Sequence, residues 1–375
     1  MPSVIVIGSG LVGAATGLRF TKPAYNVLCM IKSTLCKQSL RTRQLNSVPQ
    51  EVGGAPDVLE SLTCITFRAV MIQAGGLRVL RSLGLLDECI EAGALLPYTV
   101  WAKIDGSAPV VADARILNKT AGETDTRLLT PLHILRSTLH NILMKECHKF
   151  GIKTLVNKKL VDVKQDESVT ADLLIGADGI HSPTRRNVFG EALKANFTGE
   201  MGHIGVVNIK EHGITFKEKE EFAFYIDRDR KRFVANFKVT DEIAAVRVNL
   251  EATTRDGYTY WRRCSRNGTK RRYWLLTGLE DAGTLLALLR HYPEEQNWQK
   301  ALSLYSKIRV QRGTAAANQA RSMRERGMAA SIFGGGLNHL FFRLAMTAAN
   351  AGMFTLYTIF DCDAEVAKAI ENDSN

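Results

Sequence analysis

Two short stretches carry residue types whose spacing suits the binding of phosphate groups. The first is Gly8-Ser-Gly10-Leu-Val-Gly13, within "VIVIGSGLVGAATGLRF" near the start of the sequence. The second is Asp178-Gly179, far along the chain within "ADLLIGADGIHSPTRR". In the first, Gly8 permits a tight turn, Gly10 lets backbone approach a pyrophosphate, and Gly13 lets the following helix pack against the strand. A helix opening at such a turn offers unpaired N–H groups and its positive dipole end to an anion. In the second, Asp178 places a carboxylate after an apolar run and Gly179 allows a close turn. Ser182, Arg185 and Arg186 then open a basic helix suited to phosphate contact. The plain alternative is a strand-turn-helix at one place and an Asp-Gly turn with a solvated helix at the other.

One part of a dinucleotide site is lacking. An Asp or Glu normally closes the second strand, roughly 20 residues on, and accepts the ribose hydroxyls. In "YNVLCMIKST" that position falls on Ile31, followed by Lys32. Isoleucine accepts no hydrogen bond. A lost charge-assisted bond of this kind is worth roughly 1.5–3 kcal/mol, or about one to two decades in affinity. The pattern therefore predicts a weakened site, with Lys32 beside the nucleotide.

These residues need a frame to hold them. Ser3 to Ile7 is a short β-branched run typical of a buried parallel strand, and Val27 to Ile31 supplies a second. With the glycine turn and the Ala- and Leu-containing helix between them, they form a β-turn-α-β unit. Ala74 to Leu96 contains a helix with Gly93 as its stop, and Tyr98 to Leu117 alternates as antiparallel strands do. Over Pro131 to Phe150, the residues Leu135, Leu139, Ile142, Leu143, Cys147 and Phe150 fall on one helical face. Gly151 to Val163 reads as a strand pair and Ala171 to Ile175 as a buried strand. Asn196 to Leu250 holds short β-like runs such as "RFVANFKV" and "AAVRVNL", and the chain is mostly helical from Leu279. The expected fold is α/β: a Rossmann-like domain over 1–195, an inserted β-sheet domain over 196–270, and C-terminal helices over 271–375 that return to the first. Residues 98–130 are expected to contribute to the inserted sheet.

Composition narrows the function classes. With 45% hydrophobic and 23% charged residues the chain has ordinary globular character. The net charge of +11 suits nucleic acid, an anionic membrane or a phosphorylated cofactor. The densest basic runs, Arg228 to Arg232 and Arg262 to Arg272, lack a zinc-finger, RNA-recognition or zipper pattern, so no nucleic-acid partner is expected. Seven scattered cysteines form no C-x-x-C pair and no metal spacing, which suits a reducing, cytoplasmic setting without a metal. The glycine-rich N-terminus stands where a signal peptide needs an unbroken apolar core. Gly334 to Gly336, Asn338, His339 and Arg343 interrupt the apolar stretch Met328 to Phe360. That stretch reads as amphipathic helices and not as a transmembrane segment.

Taken together, these motifs resemble the flavin-dependent aromatic hydroxylases, and most closely the salicylate-hydroxylase-like monooxygenases of fungal secondary metabolism. "VIVIGSGLVGAA" is similar to their adenosine-diphosphate turn, and "EVGGA", with Gly54, to a loop near the flavin. "GLRVLRSLGLLDECIEAG" resembles the helix that follows. "HILRSTLHNILMKECHKFGI" resembles an Arg-x-x-Leu helix, which would make Arg136 a cofactor contact. "ADLLIGADGIHSPTRR" resembles the Asp-Gly motif, and "YSKIRVQRGTAAANQARSMRERG" and "LYTIFDCDAEVAKAI" the terminal helices. The resemblance implies FAD bound along the Rossmann-like part, NAD(P)H as reductant, oxygen, and a small aromatic or polyketide-like substrate. The cofactor would carry the chemistry, and the protein would orient it and exclude water.

The sequence also departs from that family. A second Gly-Asp motif, "GDAAH", is absent, and "RRYWLLTGLEDAGTLLALL" runs from an expected strand at Tyr273 to Leu276 directly into a Glu280-Asp281-Ala282 helix. A catalytically impaired relative, from a shortened or misassembled chain, is the alternative this raises. On the substrate side, relatives place an arginine shortly after a Thr-Gly pair. Here "FTGEMGHIGVV" puts Ile204 near that place, with His203 beside it. His203 as a substrate contact and Tyr225 as a donor to a phenolate-like substrate are the catalytic candidates; packing is the alternative for each.

Overall fold

The computed structural model describes residues 2–21, 25–32, 69–118, 123–158, 171–190, 200–227, 232–251, 271–328, 335–351 and 360–374. The chain opens with β1 (Ser3–Ile7), α1 (Leu11–Thr21) and β2 (Asn26–Lys32). Val4, Ile5, Val6 and Ile7 are all buried, as the β-branched run requires of a parallel strand covered on both faces. β3 (Ala69–Ile72) leads to α2 (Ala74–Leu83) and α3 (Leu86–Glu91). A single helix was expected over this region, but it breaks at Gly84. There φ is 74°, in the left-handed region that glycine adopts most readily, and the Gly84 N–H closes the turn on the Arg81 carbonyl.

Next come β4 (Ala94–Leu95), β5 (Tyr98–Lys103), β6 (Val110–Asp113) and the single helical turns α4 (Ala114–Leu117) and α5 (Thr126–Leu129). The helix expected from Pro131 begins later. Leu132–Leu135 form β7, which pairs antiparallel with β3 and with β4, and this pairing on both sides overrides the helical spacing. α6 (Arg136–Lys149) follows. Leu139, Ile142, Leu143 and Cys147 are buried as its stripe predicts, whereas Phe150, just past the helix end, is 43% exposed. β8 (Lys153–Lys158) is the first strand of the expected pair, and its partner falls outside the described residues.

β9 (Leu173–Gly176) and α7 (Pro183–Phe189) precede β10 (Glu200–Asn208), β11 (Phe222–Asp227), β12 (Arg232–Lys238) and β13 (Ile243–Glu251). The remainder is helical: α8 (Arg271–His291), α9 (Trp298–Met328), α10 (Gly335–Asn350) and α11 (Cys362–Ser374). Tyr273 to Leu276, expected as a strand, lie in the first turns of α8. Leu275 joins the main core with Leu279, Leu285 and Leu289, so the apolar spacing continues a helical stripe upstream of Glu280.

Three sheets result, with orders β8-β2-β1-β9, β10-β13-β12-β11-β5-β6 and β3-β7-β4. The first is parallel throughout. The second is antiparallel apart from the β11–β5 pair. The small third sheet joins the other two: Ala69 packs with Phe222, Phe237 and Ala245 of the six-stranded sheet, and Ile72, Leu132 and Ile134 share the main core with Val4 and Val6 of the parallel one. α8 is held between its neighbours. Glu280, 1% exposed, accepts from Arg309 and Arg312 of α9, and Gly278 lies so close to Val12 of α1 that a Cβ would stand 2.6 Å from its side chain. Among the described residues no helix is long and apolar enough to cross a membrane.

Candidate active site

The two motifs meet at the ends of neighbouring strands. β1 and β9 pair in parallel with Ile7 opposite Gly176, and the Ala177 N–H donates to the Ile7 carbonyl at 2.8 Å. The turn then packs back to back with the Asp178 stretch. Gly8 has φ 109°, and a Cβ there would lie 2.5 Å from the Ala177 carbonyl oxygen. A Cβ on Gly13 would lie 1.9 Å from the Gly8 carbonyl oxygen, so the first turn of α1 fits only with glycine at that position. Gly10 differs: among the described residues a Cβ there meets nothing within 4 Å. One side of the turn is therefore packed against protein and the other is open at the N-terminus of α1, the arrangement an anion requires.

Asp178 divides its carboxylate between two tasks. Oδ2 accepts from the Thr184 backbone N–H at 3.0 Å and from its hydroxyl at 2.9 Å. Oδ1 is buried and has no partner among the described residues. A buried acceptor of this kind calls for a donor from a ligand or water. Gly179, at φ 82°, makes the turn that places it. Ser182 and Arg185, expected at phosphate, bond within the loop, though Arg185 Nε is buried without a partner among the described residues. The Ser182 hydroxyl caps α7 by accepting from the Arg185 N–H, and the Arg185 guanidinium donates to the Ile180 carbonyl at 2.6 Å.

Other expected cofactor residues fall at different distances from this junction in the fold. Arg136 is the first residue of α6, and His140 one turn later donates from Nε2 to the Ser9 carbonyl of the glycine turn at 2.6 Å. Lys32 ends β2 opposite Lys158, with the register irregular between Met30 and Lys32, so the ladder slips at Ile31, the position of the missing acid. Gly54 lies outside the described residues. FAD can be tested against what is present. The open side of the turn fits a pyrophosphate, and the orphaned Asp178 Oδ1 fits a hydroxyl or water that donates to it, while Ile31 brings no acceptor for the ribose. Among the described residues no group of three or more His, Cys, Asp or Glu is arranged to hold a metal ion.

The six-stranded sheet has two unlike faces. Along β12 burial alternates, with Phe233, Ala235 and Phe237 buried, and on β13 Ala245, Arg247 and Asn249 are buried opposite them. This face packs on the three-stranded sheet. It carries a charged residue: Arg247 is 4% exposed, its Nε donates to Asn249 Oδ1 at 2.8 Å, and its guanidinium lies 5.9 Å from the centre of the Phe233 ring. Arg247 stands opposite Ile204 of β10, the position where the sequence comparison looks for an arginine. Sequence reading overlooked Arg247 and Asn249, although an Arg and an Asn two apart in "AAVRVNL" share the parity of buried positions.

The two catalytic candidates belong to the other row. His203 pairs with Val248, Val248 with Val234, and Val234 with Tyr225, so both lie in one register row on the opposite parity from Arg247. Tyr225 is half-buried and its hydroxyl donates to Glu220 at 3.2 Å. Burial and the Glu220 carboxylate raise its pKa, which keeps the phenol protonated. The structure thus gathers the glycine turn, Asp178, Gly179 and the start of α6, and does not bring Tyr225 or the His203 position to the face that meets them.

Comparison with known proteins agrees with this geometry. A putative FAD-dependent monooxygenase, YetM, of Bacillus subtilis is 26% identical over 196 residues, covering 49% of this chain and 44% of that protein. The 6-hydroxy-3-succinoylpyridine 3-monooxygenase HspB of Pseudomonas putida is 28% identical over 211 residues, covering 52% of this chain and 44% of that protein. The chain therefore matches less than half the length of each of these relatives. A solved salicylate hydroxylase in complex with substrate superposes with a TM-score of 0.66 at 16% identity, covering 98% of both chains, and shares the fold. The FAD binding domain family matches residues 60–276, more than half of the sequence, and includes the Asp178 motif. With its Rossmann-like body and a six-stranded sheet beside it, this chain belongs to the FAD binding domain family.

Proposed function

We propose that the chain is an FAD-dependent monooxygenase that uses NAD(P)H and oxygen to hydroxylate a small aromatic or polyketide-like substrate. The observation that carries this reading is the β1–β9 junction, where an open glycine turn and an orphaned carboxylate oxygen stand side by side. The relatives support the substrate class, since one is named for a succinoylpyridine and another for salicylate. FAD, when bound, supplies the redox and oxygen chemistry. The chain's own residues do the rest. The backbone of the turn and the N-terminus of α1 hold the pyrophosphate, and Asp178 accepts from the cofactor or a bridging water. The inner face of the six-stranded sheet, with Phe233, Ala235 and Arg247, shields the substrate from water and orients it.

The visible absorption spectrum of the purified protein, with and without added FAD, tests the reading. Flavin bands together with NAD(P)H oxidation stimulated by small phenols are expected. Protein that stays colourless after FAD is added overturns it. A second reading, a flavin-binding but catalytically impaired relative, is favoured by Ile31 and by the α8 helix occupying Tyr273 to Leu276. It predicts flavin bands without substrate-stimulated oxidation. Under either reading, Ile31→Glu should tighten FAD binding by about one decade, because it returns the ribose acceptor.

A further inference from the structure

The hydrogen bond from His140 to Ser9 fixes more than one atom. Ser9 is 8% exposed, and its carbonyl oxygen can only accept, so His140 Nε2 carries the proton in this bond. The carbonyl of Ser9 and the N–H of Gly10 belong to one peptide group. That peptide is trans, as are all those described, so the two bonds point in opposite directions across a rigid plane. Holding the Ser9 oxygen against α6 therefore aims the Gly10 N–H away from α6. Among the described residues no acceptor takes that N–H, and the side of the turn at Gly10 is the open one.

We infer that His140 is a positioning residue for the cofactor: it locks the Ser9–Gly10 peptide so that the Gly10 N–H faces the phosphate of the bound nucleotide. Three contacts make the lock. Gly8 rests on Ala177, Gly13 rests on the Gly8 carbonyl, and His140 holds the Ser9 carbonyl, which neither packing touches. Flipping this peptide turns ψ of Ser9 and φ of Gly10, and Gly10, without a Cβ, takes up the change in φ at little steric cost. Flipped, it would present a carbonyl oxygen to the phosphate in place of an N–H. The imidazole also polarises the peptide, since a carbonyl that accepts a strong bond leaves its N–H a better donor. α6 is itself pinned to α1 two turns further on, where Cys147 Sγ approaches the Ala14 carbonyl at 3.5 Å, so His140 sits on a fixed platform.

The inference rests on the FAD reading above, and its test separates the two. Apoprotein would be titrated with FAD and with ADP, which keeps the pyrophosphate and lacks the flavin. Wild type that binds neither refutes the FAD reading. If wild type binds, His140→Ala should weaken both ligands by about tenfold to a hundredfold, the worth of a bond to a charged group. His140→Gln, whose side-chain amide can donate from near the same place, should recover most of the loss. Equal binding by wild type and His140→Ala overturns the inference, as does a Gln variant no better than Ala, which would make the histidine a filler of space. A ligand-free readout is the Gly10 amide resonance of the ¹⁵N-labelled apoprotein. It should shift in His140→Ala and return towards the wild-type position in His140→Gln; an unmoved Gly10 signal also overturns the lock.

Discussion

On the proposed reading, the four-stranded parallel sheet and the six-stranded sheet place function in different parts of the chain. At the parallel sheet the work falls to backbone. Gly8, Gly10 and Gly13 matter for what they lack, and the carboxylate that joins them arrives on the next strand with its own glycine. At the six-stranded sheet the proposed work falls to side chains on one face, collected from several strands, and only parity decides which residues are included. Val234 and Arg247 lie on adjacent strands within a residue of the same level, yet one shares a row with Tyr225 and the other faces the rest of the molecule. A one-residue slip would exchange the two sets.

The sharpest way to break this contrast is to add single methyl-bearing groups to the turn. Gly13→Val forces a side chain into a position where Cβ alone meets the Gly8 oxygen at 1.9 Å. Overpacking against side chains costs about 1–3 kcal/mol, and backbone yields less readily. Loss of soluble protein, or of FAD binding by at least about two decades, is expected. Gly10→Ala meets no atom of the described residues, so the melting temperature of the apoprotein should hold while FAD affinity falls. Equal behaviour of the two variants in both measurements would remove the distinction between the packed and open sides of the turn.

The next test belongs to the other sheet. Arg247→Leu leaves the buried Asn249 Oδ1 without its donor, at a cost of about 1–3 kcal/mol readable as a lower urea midpoint. FAD affinity should stay within about threefold of wild type, because Arg247 is not among the groups that fix the turn. Substrate-stimulated NAD(P)H oxidation should fall by about tenfold or more, the loss expected for a charged bond to substrate. A variant that loses FAD instead would show that the two sheets form one site and not two cooperating ones.

How much was legible follows from the same contrast. Ser3–Ile7, the glycine turn and the Asp178 turn were readable because each is a contiguous pattern whose residue types are dictated by local backbone. The break at Gly84 and the strand at Leu132–Leu135 were not, because one depends on a single left-handed residue and the other on partners distant in sequence. The packing of Ser182 and Arg185 into their own loop was hidden for a related reason: their types suit both capping and phosphate, and only geometry chooses. Tyr225 suits a substrate site by its chemistry alone. The alternation in "RFVANFKV" and "AAVRVNL" already separated an inner row containing Arg247 from an outer one, but pairing β11 to β12 is what assigns Tyr225 to the outer row.

The smallest expected effect therefore carries the finest discrimination. Tyr225→Phe removes one partly exposed hydrogen bond to Glu220 and nothing on the inner face. Substrate-stimulated oxidation should remain within about twofold of wild type, since a lost neutral donor outside the site leaves the transition state untouched. Stability should show a pH signature instead. Burial, and then Glu220, raise the Tyr225 pKa above its ordinary value, so the protonated phenol's contribution is complete below that value and is lost as pH rises through the raised one. Wild type should thus lose stability faster than Tyr225→Phe in strongly alkaline solution, with the two curves parallel near neutrality. If turnover collapses in Tyr225→Phe with the flavin spectrum intact, the outer row reaches the substrate after all, and the division of the sheet into a working face and a solvated one is wrong.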